Sequence, residues 1–271
     1  MKLTLWSPLL LSSVVIPALT TIKKYLMIAG LLCLMPFSAM ADEITVAAAA
    51  NLQFTLEEIK AVFEEQTGDH IKVIIGSSGK LTTQIENGAP FDIFMSADVD
   101  YPQRLYNDGV TLQEPKIYAY GVLVLCTLND VNLSQGVSGL SDSAVKNIAI
   151  ASPQTAPYGR QAVNAMKYFH LYPSIESKLV YGENIAQVNQ FVTTKAVDVG
   201  FTAKSVVLAE NMKNQGRWVE VDPQSCQPIA QAAVILKSSH SHEPLAQKFF
   251  NFLFSPEVQD IFKKNGYRLP D

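Results

Sequence analysis

The chain has 271 residues, 48% of them hydrophobic, and 21 Lys and Arg stand against 25 Asp and Glu. That balance excludes the basic footprint of a nucleic-acid binder. The length suffices for one large domain or two smaller lobes.

The chain opens with an export signal. Lys23-Lys24 precede an apolar core from Tyr25 to Phe37, and Ala39-Met40-Ala41 is a small-x-small cleavage site. Residues 1–41 therefore read as a cleaved signal peptide, with Asp42 the first mature residue. Met1 to Thr21 is also apolar and reads as a mis-assigned start or a long n-region. The core after Lys24 is short for a membrane-spanning helix, and Leu31-Leu32 argue against a lipoprotein reading of Cys33. Cleavage removes three lysines and no acids, which leaves 18 basic against 25 acidic side chains, a formal charge of −7. An anion bound by such a chain relies on local donors acting against an unfavourable net field. Export also means an oxidising compartment, so Cys126 and Cys226 either form a disulfide or serve as buried apolar residues. The histidines, with His240 and His242 in a polar loop and His70 and His170 alone, make no metal set.

Two strand-to-helix junctions follow. The first is Ile44-Thr45-Val46-Ala47-Ala48-Ala49-Ala50-Asn51-Leu52, and the second is Val73-Ile74-Ile75-Gly76-Ser77-Ser78-Gly79-Lys80-Leu81. Each runs from a β-rich stretch through small residues into a helical pattern. A helix start offers unpaired N–H groups and a partial positive charge. Small residues admit an anion to the backbone, and Asn51 and Ser78 carry possible side-chain donors. One such junction alone is better read as an ordinary helix cap. Lys80 reads as a solvated helix residue, or as a cation for the anion.

Further along, Phe91 to Asp98 is a strand with a polar exit, and Gly121 to Cys126 is a buried strand. A second set then begins. Ile148-Ala149-Ile150 leads to Pro157-Tyr158-Gly159 and a helix, Leu179-Val180-Tyr181 leads to Asn184-Ile185 and another, and Val197 to Phe201 is a strand. Ala232 to Leu236, a helix over Leu245 to Asn251 and a last helix capped by Ser255-Pro256-Glu257 complete the chain. The pattern is α/β with largely parallel sheets. The last strand and helices are too few for a third domain, so they return to the first lobe. This gives lobe 1 over 42–119 plus 229–271 and lobe 2 over 120–228, joined by two crossing strands with a ligand cleft between. Four helix starts, at Asn51, Ser78, Tyr158 and Ile185, could then face one cleft. A half-buried aromatic explains Tyr158 taken alone, and core packing explains Ile185.

The runs Ala48-Ala49-Ala50-Asn51-Leu52, Gly76-Ser77-Ser78-Gly79-Lys80-Leu81-Thr82-Thr83-Gln84-Ile85 and Gly88 to Asp98 resemble the periplasmic molybdate-binding proteins of ABC transporters. Tyr118 to Leu125, Pro228 to Val234, Phe254 to Glu257 and Gly266-Tyr267 extend the likeness over essentially all of 42–271. The resemblance implies a two-lobed type II periplasmic binding protein, working as a monomer in the periplasm. It would close on molybdate or tungstate and deliver it to an inner-membrane permease with its ATPase. By position, the ligand contacts would be Asn51, Ser78, Tyr158 and the N–H of Ile185. No cofactor is implied, and molybdenum would be held as its oxyanion. One branch of the family has a Tyr where Ala203 stands, so this chain resembles the branch in which the Tyr158 position supplies that hydroxyl.

The rival readings are a binder of sulfate, phosphate or an organic anion on the same fold, and an enzyme. The segment Gly76 to Leu81 fails the phosphate-loop pattern at Ile74 and Leu81, and no His is placed to activate Ser77 or Ser78. The expected contacts include no Asp or Glu to accept the proton of monohydrogen phosphate. That favours a fully ionised dianion.

Overall fold

The computed structural model describes residues 42–213, 215–237 and 242–270. The expected signal segment, 1–41, and His240 lie outside the described residues.

The first sheet has the order β2-β1-β3-β10-β4, with β1 Glu43–Ala49, β2 His70–Gly76, β3 Ile93–Met95, β4 Lys116–Gly121 and β10 Ile229–Ile235. The second has the order β7-β6-β8-β5-β9, with β5 Leu123–Thr127, β6 Ile148–Ala151, β7 Leu179–Gly182, β8 Val199–Ala203 and β9 Arg217–Glu220. The expectation of largely parallel sheets needs correction. β1 runs parallel to β2 and β3, but β10 is antiparallel to β3 and β4. The second sheet repeats this, with β6 parallel to β7 and β8, and β5 antiparallel to β8 and β9. The reversal comes from the passages between sheets: a strand that returns from the other sheet enters against the βαβ direction.

The inner parallel strands β1 and β3 are covered on both faces, so they are apolar almost throughout, while the edge strand β2 exposes His70 and Lys72. Val46, Ala47, Ala48, Ile93, Phe94 and Met95 are all buried. Helix α1 (Gln53–Thr67) turns Leu56, Ile59 and Phe63 inward. Gly68 ends it in the left-handed conformation, with φ of 75°, where glycine carries no side-chain penalty. The Phe63 ring meets Phe249 edge-on at 5.1 Å between centroids. Each such side chain contributes about 1.5–3 kcal/mol by leaving water, and this contact ties the late helix Glu243–Phe252 to the first sheet.

The sequence pattern misses the helix Asp100–Asn107 and strand β9. The helix buries only Pro102 and Leu105, too few for a visible apolar stripe, and β9 has no fully buried residue. Cys126 and Cys226 are both free thiols. Burial in β5 pushes the Cys126 thiol up to about 11.

Candidate functional site

The carboxyl ends of the parallel strands set the site. β1 runs into a 3-10 turn at Ala50–Leu52, so Asn51 sits in a tighter turn than the plain α-helix start the sequence suggests. β2 ends at Gly76, and Ser77 precedes the helix Ser78–Glu86. In the second sheet, β6 leads to the helix Pro157–Tyr168, where the proline suits the first helical position, and β7 leads to the helix Ile185–Thr193. Asn184 caps this last helix by accepting from the Gln187 N–H at 3.1 Å.

These four starts converge. One cavity of about 10 Å³, measured as the space open to the centre of a water molecule, is lined by Ala49, Ala50, Asn51, Gly76, Ser77, Ser78, Ala97, Ala156, Pro157, Tyr158, Asn184 and Ile185. It thus brings together all four residues read from the sequence. The N–H groups of Asn51, Ser78, Tyr158 and Ile185 lie in first turns, where no intrahelical acceptor exists. No other acceptor meets them among the described residues. The volume falls below the usual range for organic-ligand pockets, about 300–1,000 Å³. No Asp, Glu, Lys or Arg lines the cavity. A larger cleft beside it, about 510 Å³ on the same measure, is bordered by Asp98, Asp100, Arg160 and Lys167. Its mixed charges suit a dianion less well than the donor-only cavity.

Side chains complete the picture. Ser78 is wholly buried and its Oγ accepts from the Ala97 N–H at 3.0 Å, which leaves the hydroxyl proton to donate. Ser77, a neighbour the sequence reading did not select, lines the same cavity. Its buried Oγ has no partner among the described residues and does not cap the helix behind it. An orphaned buried hydroxyl costs about 1–3 kcal/mol, so its presence marks a place where a ligand can supply the missing bond. The Tyr158 phenol accepts from Gln231 Nε2 at 3.1 Å. Burial holds its pKa well above the ordinary 10, so it stays protonated. Asn51 uses both amide hydrogens internally, on Gln231 Oε1 at 2.8 Å and Tyr267 Oη at 3.1 Å. Its free donor is therefore the backbone N–H and not the carboxamide.

Lys80 does not line the cavity. Its Nζ lies 3.1 Å from Glu183 Oε1 across the cleft, and both side chains are about half exposed, at 52% and 49%. Ala203 stands before the short helix Lys204–Val207 and also does not line the cavity. Two positions on, Ser205 Oγ donates to Asn51 O at 2.8 Å. The lobes meet at several further points. The Gly79 N–H donates to Thr155 O at 2.9 Å, and a Cβ on Gly79 would crowd Thr155 Cα at 3.0 Å. Arg160 pairs with Asp98. Burial raises the Asp98 carboxyl above its ordinary value, and the Arg160 guanidinium opposes that shift.

Residues 44–268 match the model of the bacterial extracellular solute-binding protein family. The chain belongs to this family. It is 36% identical over 237 residues to the molybdate-binding protein ModA of Azotobacter vinelandii, covering 87% of this chain and 94% of that one. It is 35% identical to the protein of the same name in Rhodobacter capsulatus, over 84% of this chain and 89% of that one. Among solved structures, the periplasmic molybdate-binding protein of Azotobacter vinelandii superposes with a TM-score of 0.80 at 32% identity, covering 84% of this chain and all of the other. The fold is therefore the two-lobed one of periplasmic binding proteins. The chain is a solute-binding protein of the ModA type and not an enzyme.

Proposed function

We propose that this protein captures molybdate, or tungstate, in the periplasm and delivers it to an ABC importer formed by an inner-membrane permease and its ATPase. One observation carries the reading: four helix starts, two from each sheet, meet at one small cavity lined by donors and free of carboxylates. The expected contacts are the N–H groups of Asn51, Ser78, Tyr158 and Ile185, with the hydroxyls of Ser78 and Ser77. Residues 42–119 with 229–271 form one lobe and 120–228 the other, except that β4 stays in the first sheet to Gly121, which moves the first crossing two residues on. The anion is bound by dipoles and hydrogen bonds, and no metal ligand is required.

Net charge does not separate the candidate anions, because molybdate, tungstate and sulfate are all tetrahedral dianions at neutral pH. Size does. Donors fixed on helix starts define where the oxygens must lie, and a smaller anion leaves some unpaired at about 1–3 kcal/mol each. Two such losses already give about two decades of preference. Calorimetric titration of the chain from Asp42 with molybdate, tungstate, sulfate and phosphate is the test. Molybdate and tungstate should bind at least about a hundredfold more tightly than sulfate. Equal affinity for sulfate and molybdate would sink the assignment.

A further inference from the structure

Strand β10 reads Ile-Ala-Gln-Ala-Ala-Val-Ile, and Gln231 is its one polar side chain. It is completely buried. A buried amide is costly unless its donor and acceptor ends are both matched, and here they are. Oε1 accepts from Asn51 Nδ2 at 2.8 Å, and Tyr118 Oη lies 3.0 Å away, sharing its proton between Gln231 Oε1 and Ser96 O. Nε2 donates to Tyr158 Oη at 3.1 Å. Asn51 follows the first strand of one sheet, Tyr158 opens a helix of the other, and Tyr118 lies on the strand leading from one sheet to the next. The backbone leaves room for this arrangement at one place. A Cβ on Gly121, at the end of β4, would overlap the Tyr158 hydroxyl and Gln231 Nε2.

We propose that Gln231 is a positioning residue that clamps Asn51 and Tyr158 from behind the cavity, holding one anion-facing helix start of each lobe in register. Both residues are gripped by their side chains, while their own N–H groups remain without protein acceptors. The chemistry asks for an amide in particular. Only a side chain that accepts at one end and donates at the other can serve Asn51 Nδ2 and the Tyr158 oxygen together. A carboxylate would lack the donor and place a negative charge behind the anion. An aliphatic side chain would strand one Asn51 Nδ2 hydrogen and the Tyr158 oxygen, while Tyr118 would keep Ser96 O.

The inference rests on the anion-binding reading, and a double-mutant cycle separates the two. Molybdate is titrated calorimetrically into the wild type, Gln231→Leu, Tyr158→Phe and their combination, and each is melted without anion. Gln231→Leu should weaken molybdate binding at least about tenfold, the scale of losing one or two hydrogen bonds. In the Tyr158→Phe background the loss should shrink at least threefold, because the phenol through which Gln231 acts is already gone. Combined with Lys80→Ala, the effects should simply add. A merely structural glutamine would lower the melting temperature by the same amount and weaken binding equally in both backgrounds, which would overturn the clamp. Gly121→Ala guards against a variant that does not fold. It keeps every polar group and forces the Tyr158–Gln231 pair apart, so it should reproduce the loss. A folded Gly121→Ala protein with wild-type affinity also overturns the proposal. A wild type that takes none of the four oxyanions would instead strike the functional reading itself, and the clamp with it.

Discussion

Ser78→Ala tests whether the site works through hydrogen-bond donors, because Ser78 performs two separable tasks. Its Oγ accepts from the Ala97 N–H at 3.0 Å within the first lobe. Its proton then remains for the ligand. Removing the hydroxyl takes away one donor to a charged acceptor, about 1.5–3 kcal/mol, so affinity for molybdate should fall by about one to two decades. It also leaves the Ala97 N–H unpaired in a buried site, about 1–3 kcal/mol of folding stability. For a chain of this size each kcal/mol corresponds to about 2–4 °C in melting temperature. Calorimetry on the folded protein reads the first effect, and thermal melting without anion reads the second. Lys80→Ala is the control. Lys80 and Glu183 form a half-exposed pair, of the kind that contributes about 0–1 kcal/mol, so its loss should change affinity by less than about fivefold. If Ser78→Ala binds molybdate within threefold of wild type, or if Lys80→Ala does the greater damage, the donor model is wrong and the site depends on a formal cation.

Four further outcomes are expected. Ser77→Ala should weaken molybdate binding while leaving the melting temperature unchanged or raised, since its Oγ makes no bond within the described protein; a lower melting temperature with unchanged affinity would assign Ser77 to the fold. Tyr158→Phe should weaken molybdate binding by about tenfold and sulfate by less; equal losses for both anions would remove the phenol from selectivity. Native-state alkylation with iodoacetamide at pH 8 should modify half-buried Cys226 first, because burial holds the Cys126 thiol at about 11, where little reactive thiolate exists; equal labelling of both before unfolding would contradict the buried placement. Mass spectrometry of the exported protein should give a chain beginning at Asp42, and a membrane-bound product retaining Tyr25 to Phe37 would refute cleavage.

The four residues that line the small cavity are legible because their signal is local. A β-rich stretch, small residues, a polar residue and then an apolar helical period all fit within ten positions, and the chain repeats that grammar in each half. What supports those residues is not local. Asn51 meets Gln231 across 180 positions and Tyr158 meets it across 73. The only trace in the sequence is a lone glutamine inside an otherwise apolar strand. Nor could the sequence show that Asn51 spends its carboxamide on Gln231 and Tyr267, since a polar side chain at a helix start looks the same whether it faces a ligand or a neighbour. The antiparallel strands were misread because strand direction depends on where the chain re-enters a sheet, and hydrophobic pattern carries no record of direction.

The cross-lobe contacts raise a question of balance. Lys80–Glu183, Arg160–Asp98, the Gly79 to Thr155 backbone bond and the Ser205 to Asn51 bond all favour closure. A binding protein that closed on these alone would exclude its ligand, so an opposing term must exist. The cavity supplies it. Closure without an anion removes the N–H groups of Asn51, Ser78, Tyr158 and Ile185 from water with nothing to accept from them. At about 1–3 kcal/mol for each unsatisfied group, four such groups oppose the half-exposed Lys80–Glu183 pair, worth about 0–1 kcal/mol, the more buried Arg160–Asp98 pair and the two cross-lobe hydrogen bonds. On the anion-binding reading, the same donors would also favour an open ligand-free protein. A ligand shifts the equilibrium only by its differential affinity for the closed state, and here nearly all of that difference lies in donors contributed by opposite lobes. Small-angle scattering should accordingly show a smaller radius of gyration with molybdate than without. An unchanged radius would mean that the cross-lobe contacts hold the cleft shut by themselves.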